Sequence, residues 1–192
     1  MKEKRLVDLP SSDEHLREVR LSSVDAYQGQ FLKMKKDIVS LPDGKETYRE
    51  YLVHPGAVAI VPILSDGRIL LERQFRYPVD MAMIEIPAGK LEVGEDPLLC
   101  AKRELLEETG YSATDWTYLG KIHPVISYST ELIEIFLAQG LEPGERCLDE
   151  GEFLDVFAAT LEEMHQWIAE GKITDVKTII AVYHLSRHLK DH

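Results

Sequence analysis

Three glutamates within five residues are the feature of this sequence most capable of chemistry. The stretch RELLEETG, residues 103–110, places Glu104, Glu107 and Glu108 at helical spacings of i, i+3 and i+4. In an α-helix these spacings put side chains on one face, so the three carboxylates are expected to converge. Like charges so spaced cost an isolated helix about 0.2–0.5 kcal/mol per pair, although Arg103 can offset part of this cost. Either a solvated acidic face or a bound divalent cation, which prefers several oxygen ligands, would account for the cluster.

The residues around the cluster predict a helix over residues 97–109. Pro97 suits the first helical turn, and Glu95 and Asp96 suit the positive end of the helix dipole. Gly110 suits the left-handed position that follows many helices. The apolar face of the predicted helix consists of Leu98, Ala101 and Leu105. The acidic cluster is therefore expected on the polar face of an amphipathic helix with well-marked ends.

The remaining elements predict an α+β sandwich that follows an N-terminal β arm. Residues 1–52, with the turn LPDG, resemble a β-hairpin arm, and residues 53–192 form the main domain. In the main domain the β-rich runs GAVAIVPIL and RILLERQF flank a turn at residues 65–67. Further strands are predicted at residues 83–86, 116–122, 132–138 and 153–158, and further helices at residues 161–170 and 176–189. Mixed strands with few helices indicate the α+β class.

Composition and charge restrict the function classes. With 192 residues, of which 44% are hydrophobic, the chain can bury the core of one ordinary domain. Its net charge of −12 disfavours a nucleic-acid partner, because the phosphate backbone would be repelled. No segment approaches the ~20 apolar residues of a membrane span, and the two cysteines lack disulfide or metal-site spacing. We therefore expect a soluble cytoplasmic protein without a membrane or nucleic-acid partner.

Residues 89–111, GKLEVGEDPLLCAKRELLEETGY, resemble the Nudix box. That motif consists of Gly, five residues, Glu, seven residues, and then Arg-Glu-apolar-any-Glu-Glu-any-Gly-apolar. The matching positions are Gly89, Glu95, Arg103, Glu104, Leu105, Glu107, Glu108, Gly110 and Tyr111. A lone acidic triplet would be weak support, whereas a match at every fixed position is specific. The resemblance makes a cation site the favoured explanation of the acidic cluster.

A wider resemblance covers roughly residues 25–189. The segments HPGAVAIVPI, RQFRYPV, EIPAGKLE, LDEGEFLDV and ITDVKTIIAVYHL are similar, in order and spacing, to the bacterial ADP-ribose pyrophosphatase branch of the Nudix family. This resemblance implies a Nudix α/β/α sandwich of mixed sheets with an antiparallel β arm that builds a homodimer. It also implies hydrolysis of ADP-ribose to AMP and ribose 5-phosphate with Mg²⁺, or Mn²⁺ as the alternative metal.

The resemblance assigns the catalytic machinery residue by residue. The implied metal-binding positions are the carbonyl of Ala88 and the side chains of Glu104, Glu108 and Glu152. Arg103 would orient the glutamates and Glu107 would assist them. Glu150 would be the general base that takes a proton from the attacking water, which is worth about 10²–10⁴ in rate. Glu152 remains an alternative for the base.

The resemblance also assigns four substrate-binding residues. Arg49 and Glu50 would reach the nucleotide across the dimer interface. Arg76 would contact phosphate, and Glu131 would lie beside the terminal ribose. Arginine suits such a position because its planar guanidinium binds phosphate with two parallel hydrogen bonds. Each arginine alone is equally compatible with a solvated charge at a strand end.

One departure from the branch concerns substrate choice. The branch commonly has Ser-Pro-Gly in the loop before its equivalent of Glu131, whereas this chain has Val125-Ile126-Ser127 there and a proline at Pro124. The alternatives are a broad nucleotide-sugar pyrophosphatase acting on ADP-glucose and GDP-mannose, an enzyme for capped or triphosphorylated RNA ends, and a non-catalytic nucleotide-binding regulator. The acidic charge disfavours RNA. The intact motif disfavours the regulator.

Overall fold

The described chain, residues 12–148 and 151–191 of a computed structural model, divides into two compact units. The first unit contains the described residues up to Val53 together with Ser127–Ser129. The second contains His54–Ile126 and the described residues from Thr130 onwards. The second unit holds the motif helix.

The first unit is a three-stranded antiparallel sheet. Its strands are β1 (Val19–Gln28), β2 (Lys33–Ser40) and β3 (Glu46–Leu52), in the order β1-β2-β3. Gly44, with φ of 83°, donates its N–H to the Leu41 carbonyl and closes the turn between β2 and β3. The antiparallel β arm that the sequence predicts is therefore present.

The described residues of the second unit form two sheets and three α-helices. One sheet has the order β7-β4-β9-β8 and consists of β4 (Ala57–Pro62), β7 (Ala88–Lys90), β8 (Tyr111–Ile122) and β9 (Ile133–Pro143). The other has the order β10-β5-β6 and consists of β5 (Ile69–Arg76), β6 (Met81–Glu85) and β10 (Leu154–Ala159). The helices are α1 (Pro97–Thr109), α2 (Leu161–Ala169) and α3 (Val176–Asp191). Within the described ranges, none of these helices has the length and apolar character needed to cross a bilayer.

The two faces of the four-stranded sheet pack against different helices. Val58 and Ile60 of β4 join a cluster with Leu105 of α1, whereas the alternate residues of β4 join the core that contains Met164 of α2 and Leu185 of α3. Successive side chains of a strand point to opposite faces, so β4 separates the two clusters. The sheet is therefore sandwiched between helices, which confirms the predicted α/β/α sandwich.

The predicted and observed elements differ mainly in the lengths of strands. The helix predicted at residues 97–109 is α1, residue for residue. β8 begins at Tyr111, five residues earlier than predicted, because it pairs with β9 along its whole length, from Tyr111 opposite Pro143 to Ile122 opposite Ile133. β7 is a strand of three residues, too short for a periodic pattern to indicate it.

Candidate active site

Local hydrogen bonds fix both ends of α1. The Asp96 side chain accepts hydrogen bonds from the N–H groups of Leu98 and Leu99, at 2.9 and 3.1 Å. Gly110, with φ of 74°, donates its N–H to the Leu106 carbonyl at 2.9 Å. These caps hold the last two turns, which carry the glutamates, in a defined position.

Arg103 connects the carboxylates of the motif. Its Nε and Nη2 donate to the two oxygens of Glu95, each at 3.0 Å. Its Nη1 donates to Glu104 at 2.8 Å and to Glu107 at 3.0 Å. The hydrogen bonds from Arg103 lower the pKa of Glu95 to about 2. One guanidinium therefore compensates much of the repulsion that the acidic face would otherwise suffer.

The glutamates Glu104 and Glu108 lie against the backbone of β7. A β-carbon added to Gly89 would be 1.8 Å from the carboxyl carbon of Glu104, so a side chain at position 89 would overlap the carboxylate. One carboxylate oxygen of Glu108 accepts a hydrogen bond from the Ala88 N–H at 3.0 Å. Two of the three motif carboxylates thus meet the Ala88–Gly89 segment, which explains why the motif begins with glycine.

The environment of these carboxylates favours added positive charge. Burial, followed by the charges of Glu72 and Glu104, raises the pKa of Glu108 to about 10. Burial also raises the pKa of Glu104, although Arg103 opposes the shift. The charge of Glu152, which is half-buried, makes a smaller contribution to the raised pKa of both Glu104 and Glu108, so it acts on both carboxylates.

Glu150 lies outside the described residues. Its assignment as the general base therefore stays a prediction, and so does the alternative that Glu152 takes this role.

The donor chemistry of the site fits a hard divalent cation. The carboxylates offer oxygen ligands, and Gly89 leaves its Cα side free for the Glu104 carboxylate. One oxygen of buried Glu72, Oε1, has no hydrogen-bond partner among the described residues. Within that same part of the chain, no three His, Cys, Asp or Glu side chains are placed to hold a metal ion. The carboxylates of Glu104 and Glu107 are hydrogen-bonded to Arg103, and that of Glu108 to the Ala88 N–H.

Arg76 is held by a buried carboxylate that the sequence analysis did not single out. Its Nε and Nη2 donate to the two oxygens of Glu85, at 2.7 and 2.8 Å. Lys177 of α3 also donates to Glu85 and lies 3.0 Å from a carboxylate oxygen of Asp175. Glu85 is therefore the centre of a network with two positively charged side chains. A charged residue inside the apolar run MIEI was the only signal for it in the sequence.

The segment ITDVKT ties α3 to the strand that leads into β7. The Asp175 carboxylate accepts hydrogen bonds from the N–H and the hydroxyl of Thr178, at 3.0 and 2.6 Å. The Thr178 hydroxyl in turn accepts from the Ile86 N–H at 3.0 Å. Since Ile86 lies two residues before Ala88, the start of α3 helps to position the segment on which Glu108 rests.

Glu72 is the second buried acid that the sequence analysis missed. It lies on β5 directly opposite Glu85 on β6 and is 3% exposed. Burial raises its pKa to about 7, and Glu85 is the next largest cause of the rise. In the sequence it stands at the end of the apolar run ILL, one residue before Arg73, and no local signal there marks it as buried.

Two of the other predicted substrate-binding residues form ion pairs with neighbouring side chains. Arg49 donates to Glu18 at 3.0 Å, and Glu50 lies 3.5 Å from Lys36, all within the first unit. Glu131 is half-buried and lies two residues before the start of β9. Their contacts with a substrate stay predictions.

Known proteins resemble this chain over most of its length. The NUDIX domain family matches residues 53–180. The chain is 41% identical over 170 residues to the methanol dehydrogenase activator of Bacillus methanolicus, covering 88% of this chain and 92% of that protein. It is 38% identical over 172 residues to the ADP-ribose pyrophosphatase of Bacillus subtilis (strain 168), covering 88% and 93%. The crystal structure of an ADP compounds hydrolase superimposes with a TM-score of 0.83 at 25% identity, over 92% of this chain and 96% of that one. The chain therefore belongs to the NUDIX domain family and is a hydrolase similar to ADP-ribose pyrophosphatases.

Proposed function

We propose that the protein hydrolyses the pyrophosphate bond of ADP-ribose to AMP and ribose 5-phosphate, using Mg²⁺ or alternatively Mn²⁺. The observation that carries the proposal is the placement of the Glu104 and Glu108 carboxylates on the Ala88–Gly89 backbone by a helix that Arg103 braces. The similarity to an ADP-ribose pyrophosphatase and to an ADP compounds hydrolase supports the choice of substrate.

In this proposal the carbonyl of Ala88 and the carboxylates of Glu104, Glu108 and Glu152 hold the cation. The cation supplies positive charge that offsets the charge of the pyrophosphate. Glu150, or Glu152 as the alternative, accepts a proton from the water that attacks phosphorus. The water oxygen bonds to one phosphorus, and the bond from that phosphorus to the bridging oxygen breaks. The attacked phosphate gains the hydroxyl, and the other phosphate keeps the bridging oxygen and leaves as part of the second product.

The residues of the motif helix orient this machinery. Arg103 fixes the carboxylate of Glu104 and, through a second hydrogen bond, that of Glu107. Glu107 assists by keeping Arg103 in place between the two turns of the helix.

Arg76 is suited to contact a substrate phosphate. Its side chain is 44% exposed, while Glu85 binds the Nε and Nη2 edge of its guanidinium. The plane of the guanidinium is therefore fixed, and Nη1 makes no hydrogen bond to the described residues and could donate to a phosphate. Glu131 would lie beside the terminal ribose.

We also propose that two chains form a homodimer through the β arm, in the cytoplasm. Every residue of β1 is exposed in the single chain, and its large apolar side chains are Val19, Leu21, Val24 and Tyr27. An apolar strand surface of this kind is typical of a protein–protein interface. In the dimer, Arg49 and Glu50 of β3 would reach the nucleotide bound by the partner chain.

Two further functions have specific support. The related protein of known structure is named a hydrolase of ADP compounds, a class wider than ADP-ribose, which favours a broader nucleotide-sugar pyrophosphatase. The departure at residues 124–127 fits such a change. A related protein of Bacillus methanolicus is named an activator of methanol dehydrogenase, which favours a regulatory role.

Product release from a small set of substrates distinguishes these functions. ADP-ribose, ADP-glucose, GDP-mannose and NADH would be supplied at one Mg²⁺ concentration, with the Glu108→Gln variant as control. We expect ADP-ribose to be cleaved fastest and the variant to be inactive. Comparable cleavage of the sugars would replace the narrow assignment by the broad one. Binding of metal and nucleotide without cleavage would overturn the enzymatic proposal in favour of the regulator.

A further inference from the structure

Glu72 is an acidic residue that is buried in the middle strand of a β-sheet. On β5, Ile69 and Leu71 belong to the main core, whereas Glu72 points to the opposite face. It pairs in register with Glu85 on β6 and with Val156 on β10, so it lies in the middle strand of its sheet. At 3% exposure its carboxylate is removed from solvent.

Glu72 and Glu85 face the same side of the sheet but differ in their partners. Glu85 receives hydrogen bonds from Arg76 on both oxygens and another from Lys177. Glu72 Oε1 has no hydrogen-bond partner among the described residues. A buried carboxylate without a partner is costly, and such groups in native proteins are usually paired or bound to metal. The charges of Arg146, Lys177 and Arg76 offset the cost to Glu72 only in part, because its pKa remains raised.

Strand pairing and chain connectivity bring Glu72 close to the segment on which Glu108 rests. Its register partner Glu85 is three residues before Ala88, whose N–H binds Glu108. After burial, the charge of Glu72 is the largest contribution to the raised pKa of Glu108. The buried carboxylate of Glu72 and that of Glu108 therefore approach the same short stretch of backbone, residues 85–88, from β5 and from α1.

We propose that Glu72 is an additional ligand of the divalent cation, supplied by β5 in addition to the residues of the motif helix. The inference rests on the proposed function, because it concerns the same cation. It adds a carboxylate that the Nudix box does not include. Its physical basis is that a cation satisfies both the orphaned oxygen of Glu72 and the buried charge that Glu72 shares with Glu108.

The test is Mn²⁺ binding to the full chain, measured by isothermal titration calorimetry after removal of metal with EDTA and dialysis. We expect Glu72→Gln, which keeps the shape and removes the charge, to weaken Mn²⁺ binding by about 10- to 100-fold. The matched control is Asp37→Asn, because Asp37 is also buried and also has an unpartnered carboxylate oxygen, but lies in the first unit. Its Mn²⁺ affinity should equal that of the wild type.

Thermal unfolding separates a ligand from a merely structural residue. If Glu72 is a ligand, the metal-free Glu72→Gln variant melts at or above the wild-type temperature, and the rise of Tm on adding Mn²⁺ becomes smaller. The variant Glu72→Leu repeats the measurement with an apolar side chain of similar size. A metal-free Tm that falls in both variants, with an unchanged Mn²⁺ affinity, would assign Glu72 to structure alone.

The outcomes also separate this inference from the proposed function. Equal Mn²⁺ affinity in wild type and Glu72→Gln would overturn the inference, while ADP-ribose cleavage that depends on Glu108 would still stand. A wild-type protein that binds no Mn²⁺ would overturn both.

Discussion

The carboxylate of Glu104 lies directly against Gly89, where a β-carbon would be 1.8 Å from the carboxyl carbon. The first residue of the motif and the first glutamate of its acidic cluster are therefore in van der Waals contact, although 15 positions separate them along the sequence. The contact involves the end of a flexible side chain, so a larger residue at position 89 would displace Glu104 before it disturbed the sheet.

The variant Gly89→Ala should therefore lose function while remaining folded. We expect Mg²⁺ affinity and ADP-ribose turnover to fall by about 10- to 100-fold, because Glu104 can no longer occupy its position. The measurement is a double-mutant cycle with Glu104→Gln, using Mg²⁺-induced Tm shifts and turnover. Additive losses in the double variant would show that Gly89 acts independently of Glu104.

A second prediction concerns the buried pair of Lys177 and Glu85, whose side chains are 11% and 5% exposed. Replacing Lys177 by Met should lower the free energy of unfolding by about 3 kcal/mol, because Glu85 would retain, among the described residues, only Arg76 as an ion-pair partner. Urea denaturation measures the loss. The matched control is Lys172→Met, since Lys172 pairs with Glu170 at the surface and its loss should cost less than about 1 kcal/mol. Equal effects in the two variants would contradict the role of the buried network.

The sequence was sufficient to predict α1 because the signals that determine its ends are local. Asp96, Pro97 and Gly110 determine where it begins and ends, and each acts through neighbours within four residues. The acidic face followed from the helical spacing of Glu104, Glu107 and Glu108, whereas the contact between Glu104 and Gly89 became visible only in the structure. The resemblance to the Nudix family correctly predicted the fold.

The network of Glu85 with Arg76 and Lys177 could not be predicted from local signals. Glu85 and Lys177 are 92 positions apart, and only the packing of α3 against the sheets brings them together. The burial of Glu72 has no local signal, because the alternation of side chains along β5 does not say which of its faces is covered. Long-range pairing of strands, rather than any local pattern, determines its burial.

A third prediction follows from the raised pKa of Glu72, which is about 7 instead of its ordinary 4.5. Between these two pH values the unfolded chain has lost the proton that the folded chain retains, so the free energy of unfolding falls as pH rises. The full penalty is present above pH 7. Carboxylates with lowered pKa, such as Glu95, act in the opposite direction, but only at pH values below about 4.5.

Urea denaturation in EDTA at pH 5, 6, 7 and 8 checks this prediction. The wild type should be most stable near pH 5, and Glu72→Gln should show a shallower loss between pH 5 and 7. Stability that rises over this range, with the same slope in both proteins, would contradict the raised pKa of Glu72.

The last prediction concerns the apolar side chains exposed on β1, where Leu21 and Val24 are 51% and 59% exposed in the single chain. If the arm forms the dimer interface, the wild type elutes with twice the chain mass in size-exclusion chromatography with light scattering. The variant Val24→Glu should be a monomer, because a charge buried at an interface without a partner costs several kcal/mol. Its turnover should fall with dimerisation, since Arg49 and Glu50 would no longer reach the partner's nucleotide. Leu189→Glu on α3 is the control, as Leu189 is also about half exposed, at 53%, but lies in the second unit. A wild type that is monomeric and fully active would exclude the arm from the site, and a Leu189→Glu variant that alone became monomeric would move the interface to α3.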